Sequence, residues 1–171
     1  MDADQLRALQ APLKQRYRDE PGSAKVVMHA SGKVLASQLT CLVDTSLGQV
    51  DAGLHPAAGG SGAQACSGDM LLQALVACSG VTLSAVATAM GIEIRSASVS
   101  ARAEMDFRGT LGIDKTVPIG ITELHLEFSI DSVAEDAQLQ KLIQLTERYC
   151  VVLQTLALPA ALTTSYNRIS G

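Results

Sequence analysis

The sequence contains no tryptophan, two phenylalanines and three tyrosines in 171 residues. That scarcity argues against a surface on which nucleic-acid bases stack. It also means that the core is built from Leu, Val, Ile, Ala and Met. No run of Lys or Arg is long enough to follow a phosphate backbone, and the net charge is −4, so nucleic acid is not an expected partner. There is no C-x-x-C and no H-x-x-x-H, and the three histidines are scattered, which argues against a metal centre. The serine-hydrolase pattern G-x-S-x-G is absent. Gly59, Gly60 and Gly62 do not complete G-x-G-x-x-G, because position 65 is Ala65, and no nucleotide cofactor is expected. The first residues, from Met1 to Arg7, carry Asp2 and Asp4 where a secretion signal needs a basic region, and no apolar stretch follows. The expected compartment is the cytoplasm.

What is present suits one folded domain with at most a short appendage, since 47% of residues are apolar. Leu6, Leu9, Leu13 and Tyr17 recur at helical spacing over residues 2–20, with Pro12 kinking the helix or starting a second one, and Pro21-Gly22 ends it. From Ala24 to Asp51, Ser31-Gly32 reads as a hairpin turn between strands at Lys25–Ala30 and Lys33–Val43, with a third short strand after Leu47-Gly48. His55 to Gly62 reads as loop.

From Met70 to Ile92 no residue is charged. Such a run raises the question of a membrane span, but Gln73, Ser79, Thr82, Ser84 and Thr88 interrupt it and the flanking segments read as ordinary strands. The expectation is a helix of about 24 residues, roughly 36 Å long and apolar all round. A chain of this size can hardly wrap such a helix, so a second copy is expected to cover the rest. Val99, Ala101, Ala103, Met105 and Phe107 then alternate with polar residues, as do Leu124, Leu126, Phe128 and Ile130, which predicts two half-buried strands. Leu139, Leu142, Ile143, Thr146 and Cys150 return to helical spacing, and Pro159 precedes an expected last strand at about Ala161–Tyr166. The sum is an α+β arrangement with antiparallel strands.

In a reducing compartment the four cysteines, Cys41, Cys66, Cys78 and Cys150, are not a disulfide framework. Cys78 lies in the middle of the long helix. Cys150 closes the later one, eleven residues after Leu139, which is about three turns and turns its sulfur to the apolar face. Two thiols offered from two helices suit successive attack on an O–O bond: the first becomes a sulfenic acid and the second condenses with it to a disulfide. The same placement suits two cysteines packed as small hydrophobes, and spacing does not separate the two readings. Cys66, at the mouth of the long helix, is a candidate for a further redox role. Cys41, inside a strand, reads as core.

The segment Ser67-Gly68-Asp69-Met70-Leu71-Leu72-Gln73-Ala74-Leu75-Val76-Ala77-Cys78, followed by a strand hairpin and a helix ending in Cys150, resembles the OsmC/Ohr family. The usual motif there is Pro-x-Glu-Leu-Leu with alanines before the cysteine. The resemblance runs from about Ala24 to the C-terminus. It divides the chain into an N-terminal helical extension, 1–22, and an OsmC-like domain, 23–171. It implies an OsmC-like fold of antiparallel sheets around long central helices, and an intertwined homodimer with active sites at its interface. The activity it implies is reduction of organic hydroperoxides, with Cys78 attacking the peroxide and Cys150 resolving it. A small dithiol such as a lipoyl group then restores both thiols, and no cofactor is implied. The alternative is a non-catalytic member that holds an apolar ligand or partner in the same crevice. Three positions depart from the pattern. Asp69 stands for the glutamate, Val151 follows Cys150 where proline is common, and the predicted hairpin turn carries Lys33 in place of an arginine. A cation matters because the thiolate is the nucleophile, and burial alone raises a thiol above its reference pKa of about 8.5. Arg16 and Arg18 are the nearest candidates for that cation.

Overall fold

The computed structural model describes residues 1–169. Helix α1 (Ala3–Asp19) opens with a capping box: the Gln5 N–H donates to the Asp2 carboxylate and the Asp2 N–H donates to the Gln5 side chain. Pro12 lies within α1 without ending it, and a single 3-10 turn at Pro21–Ala24 follows.

Strands β1 (Gly32–Leu35), β2 (Thr40–Thr45), β3 (Gly48–Gly53) and β4 (Ala65–Cys66) form one sheet in chain order. The first three are antiparallel and β4 runs parallel to β3. The expected hairpin turn at Ser31-Gly32 is not there. The chain reverses at residues 36–39, with Leu39 in the left-handed region at φ 55°. Gly32 belongs to β1, where a Cβ would come within 2.9 Å of the Cys41 Sγ and 3.1 Å of the Leu42 carbonyl oxygen. Its lack of a side chain therefore serves close approach between strands and not a turn. Residues 25–31 form no strand.

Helix α2 (Ser67–Met90) has the expected 24 residues, and Gly91, at φ 68°, supplies the left-handed residue that closes it. Within one chain it is buried along a single stripe, Leu75, Ser79, Leu83 and Ala87, with spacing of four. This apolar helix is long enough to cross a membrane by length and composition, yet it packs against one strand and two helices that follow it.

Strands β5 (Ile94–Met105) and β6 (Ile121–Ser132) form an antiparallel pair with Val99 opposite Phe128 and Ala101 opposite Leu126. Phe107, expected to continue β5, instead starts the short helix α3 (Phe107–Thr110). There Asp106 accepts from the Arg108 N–H, and the Phe107 ring stacks on His55 at 4.9 Å. Helix α4 (Asp136–Tyr149) is followed after one residue, Cys150, by α5 (Val151–Ala157). The core joins Leu83, Ala87, Ile92 and Leu142 to Val86, Met90, Phe128, Ile130 and Ile143. The expected last strand is also missing. Residues 158–169 carry no strand, and Leu162 and Tyr166 are exposed, because a strand exists only by pairing and this segment joins neither sheet of its own chain.

Candidate active site

Cys78 stands half-buried in the middle of α2, while Cys150 occupies the break between α4 and α5 and is 0% exposed. The break is backbone geometry: Cys150 is extended, at φ −72° and ψ 105°, although its N–H still donates to the Thr146 carbonyl at 2.9 Å. Restarting the helix at Val151 leaves the first N–H groups of α5 without helical partners.

The two sequence-predicted thiols come together where α2 meets this break. The Cys150 Sγ lies 3.3 Å from the Oγ of Ser79, the residue next to Cys78. Burial pushes the Cys78 thiol up. Hydrogen-bond donors outweigh that effect: the Val152 N–H, the Cys150 thiol, the Val151 N–H and the Thr82 hydroxyl together hold it below its ordinary value. The anionic sulfur is therefore favoured by donors rather than by a cation. Among the described residues no Arg or Lys acts on it.

The other candidates lie elsewhere. Asp69 is in the first turn of α2, where a carboxylate favours the positive end of the helix. It is nine residues before Cys78, roughly 13 Å along the axis and on the opposite side of the helix. It borders a cleft with Leu72, Val76 and Ala101. Arg18, in the last turn of α1, donates to the Gln15 side-chain oxygen at 3.1 Å, and the Arg16 guanidinium lies 5.2 Å from the centre of the Tyr17 ring. Within one chain the structure brings neither Asp69 nor Arg18 to the thiol pair. Cys66 is the residue before α2 and caps it with no side-chain hydrogen bond; Cys41 lies in β2 opposite Val34 and Ala52. Among the described residues no group of three His, Cys, Asp or Glu side chains could hold a metal.

Sequence reasoning passed over Ser79, Thr82 and the amides of Val151 and Val152. The hydroxyls were legible as the polar residues one and four places after Cys78 on the same helix, the second of them one turn on. The amides were not, because they depend on a helix break that no proline or glycine marks.

The sequence model of a family described as "OsmC-like protein" matches residues 60–165, a span that holds both cysteines. The chain belongs to the OsmC-like protein family. Its fold is shared with solved structures of OsmC-like proteins at low sequence identity. One is the OsmC-like protein from Mycoplasma pneumoniae, 18% identical, with a TM-score of 0.63 over 78% of this chain and 91% of that one. Another is an organic hydroperoxide resistance protein from Elizabethkingia anophelis, 15% identical, with a TM-score of 0.63 over 79% of this chain and 92% of that one. A third is the organic hydroperoxide resistance protein OsmC from Legionella pneumophila, 14% identical, with a TM-score of 0.61 over 77% and 91%. No curated protein matches the sequence. The match of the OsmC-like family begins after the four-stranded sheet's first three strands.

Proposed function

We propose that this OsmC-like chain reduces organic hydroperoxides with the Cys78 and Cys150 thiols. The observation that carries the reading is the meeting of a half-buried thiol, ringed by hydrogen-bond donors, with a second, fully buried one. The Cys78 thiolate attacks the distal peroxide oxygen, the O–O bond breaks, and the alkoxide leaves and takes a proton to become the alcohol. Cys78 is then a sulfenic acid, which Cys150 converts to a disulfide with release of water. A small dithiol, such as a lipoyl group, reduces that disulfide. The difference in exposure supports these roles, since a peroxide reaches Cys78 before it reaches Cys150. We assign Asp69 to the start of α2 and Arg18 to a supporting cation that only a second copy could carry to the pair.

We further propose that the working unit is a homodimer in the reducing cytoplasm, made of an OsmC-like domain (23–171) with residues 1–22 as a helical extension. Two observations support the dimer. The long apolar helix α2 is covered along only one stripe, with Val81 and Leu71 exposed, and among the described residues β5 and β6 pair with no strand but each other, an arrangement of marginal stability alone. Light scattering should give twice the 17.8 kDa chain mass.

The test is consumption of cumene hydroperoxide with a dithiol by wild type and Cys78→Ser, with mass spectrometry of the oxidised protein. Turnover lost in Cys78→Ser, with a Cys78–Cys150 disulfide in wild type, is the expected result. No consumption and unmodified thiols would refute it and leave a binding role for the same crevice.

A further inference from the structure

Ser79 interrupts a stripe of α2 that otherwise consists of Leu75, Leu83 and Ala87, and it is 0% exposed. A hydroxyl in such surroundings needs a partner. Hydroxyls inside helices commonly turn back to the carbonyl four residues earlier. Thr88, Thr146 and Thr155 do so here, at 2.8, 2.9 and 2.8 Å. Ser79 instead meets the Cys150 sulfur, contributed by a segment 71 residues away.

Either atom of the pair can donate: the Ser79 hydroxyl to the sulfur, or the Cys150 thiol to the Ser79 oxygen. Once Cys150 gives up its proton in the attack its sulfur can only accept, and the Ser79 O–H is the donor beside it.

We propose that Ser79 is the positioning residue of the resolving step: its hydroxyl, 3.3 Å from the Cys150 Sγ, holds that sulfur beside Cys78 and stabilises its thiolate form as the thiol proton leaves. The proposal rests on the peroxide-reducing reading of the pair. In the step itself an electron pair of the Cys150 sulfur forms the S–S bond and the S–O bond of the Cys78 sulfenic acid breaks. The departing hydroxide takes the Cys150 proton and leaves as water. Cys150 is oxidised, Cys78 is reduced from the sulfenic to the disulfide level, and Ser79 keeps its own proton throughout.

The experiment separates the two steps in wild type, Ser79→Ala and Ser79→Thr after one equivalent of cumene hydroperoxide. Dimedone traps the Cys78 sulfenic acid, and quenched mass spectrometry follows the disulfide. Ser79→Ala should form sulfenic acid at the wild-type rate and close the disulfide about fivefold more slowly, the fold-change expected for one net hydrogen bond. Ser79→Thr, which keeps the hydroxyl, should close faster than Ser79→Ala. Closure of Ser79→Ala at the wild-type rate overturns the proposal, as does equal slowing of both steps, which marks a packing defect. If Ser79→Ala does not fold, Ser79→Thr decides alone, and normal sulfenic acid formation with failed closure overturns the proposal. A wild type that forms neither species overturns the peroxidase reading itself, whereas a wild type that closes normally beside an unaffected Ser79→Ala overturns only the role of Ser79.

Discussion

Val151→Pro tests whether backbone amides take the place of a cation at Cys78. The substitution installs the residue that commonly follows the second cysteine in the resembling family, and it removes one N–H that faces the Cys78 sulfur. The fold should tolerate it. Val151 is the first residue of α5, a position that proline favours, and Cys150, at φ −72° and ψ 105°, is already extended as the residue before a proline must be. No bond within the helix is lost, because the first amides of a helix have none. One net hydrogen bond is worth about 1 kcal/mol, or about a fivefold change in a rate that follows thiolate content. Removing the donor moves the Cys78 thiol up, toward its ordinary range, so less thiolate is present near neutral pH. Above the ordinary thiol range, about pH 8.5, both proteins are ionised and the difference vanishes. The assay is iodoacetamide alkylation of the Cys78 peptide, followed by mass spectrometry from pH 5 to 10. About fivefold slower labelling at pH 6 to 7, converging at high pH, is expected. Equal rates at every pH, or a slowing that persists unchanged at pH 10, would refute the reasoning.

Three further predictions concern the scaffold. Leu142→Ala, at a residue 0% exposed in the core, should lower the unfolding free energy by about 3 kcal/mol in urea titration, through lost burial and the cavity left behind. Gly60→Ala would place a Cβ 1.7 Å from the Leu54 carbonyl oxygen, while Gly22→Ala meets nothing within 4 Å; the first should lower the melting temperature by several degrees and the second should leave it nearly unchanged. Hydrogen bonds from the Gln49 amide, then the Ser31 hydroxyl, hold the Asp44 carboxyl below its ordinary value. Its contribution to stability is therefore present above the usual carboxylate pKa of about 3.9 and is lost as pH falls through the lower folded value. Asp44→Asn should flatten the fall in melting temperature between pH 5 and 2.

Patterns carried by many residues were legible. The charge-free run marked α2 to its length, the alternation about Val99 and Leu126 marked β5 and β6, and the spacing from Leu139 to Cys150 marked α4. Features set by single close approaches were not. Ser31-Gly32 has the composition of a turn, but the turn is made by Leu39, and Gly32 is demanded by the sulfur of Cys41. At the site, both cysteines could be picked out from their helices and the Ser79 and Thr82 hydroxyls stood close to Cys78 in the chain, whereas the amides of Val151 and Val152 could not be found.

The sequence by itself determined the α+β architecture, because hydrophobic periodicity is local and repeats over enough residues to outweigh any one exception, and the segment Ser67–Cys78 with Cys150 carried the resemblance to the family. Only the tertiary structure decided that Cys150 sits at a helix break, that the amides of Val151 and Val152 lie by Cys78, and that the Ser79 hydroxyl meets the Cys150 sulfur rather than its own helix. The last two are relations between residues about 70 positions apart, and no local propensity encodes them.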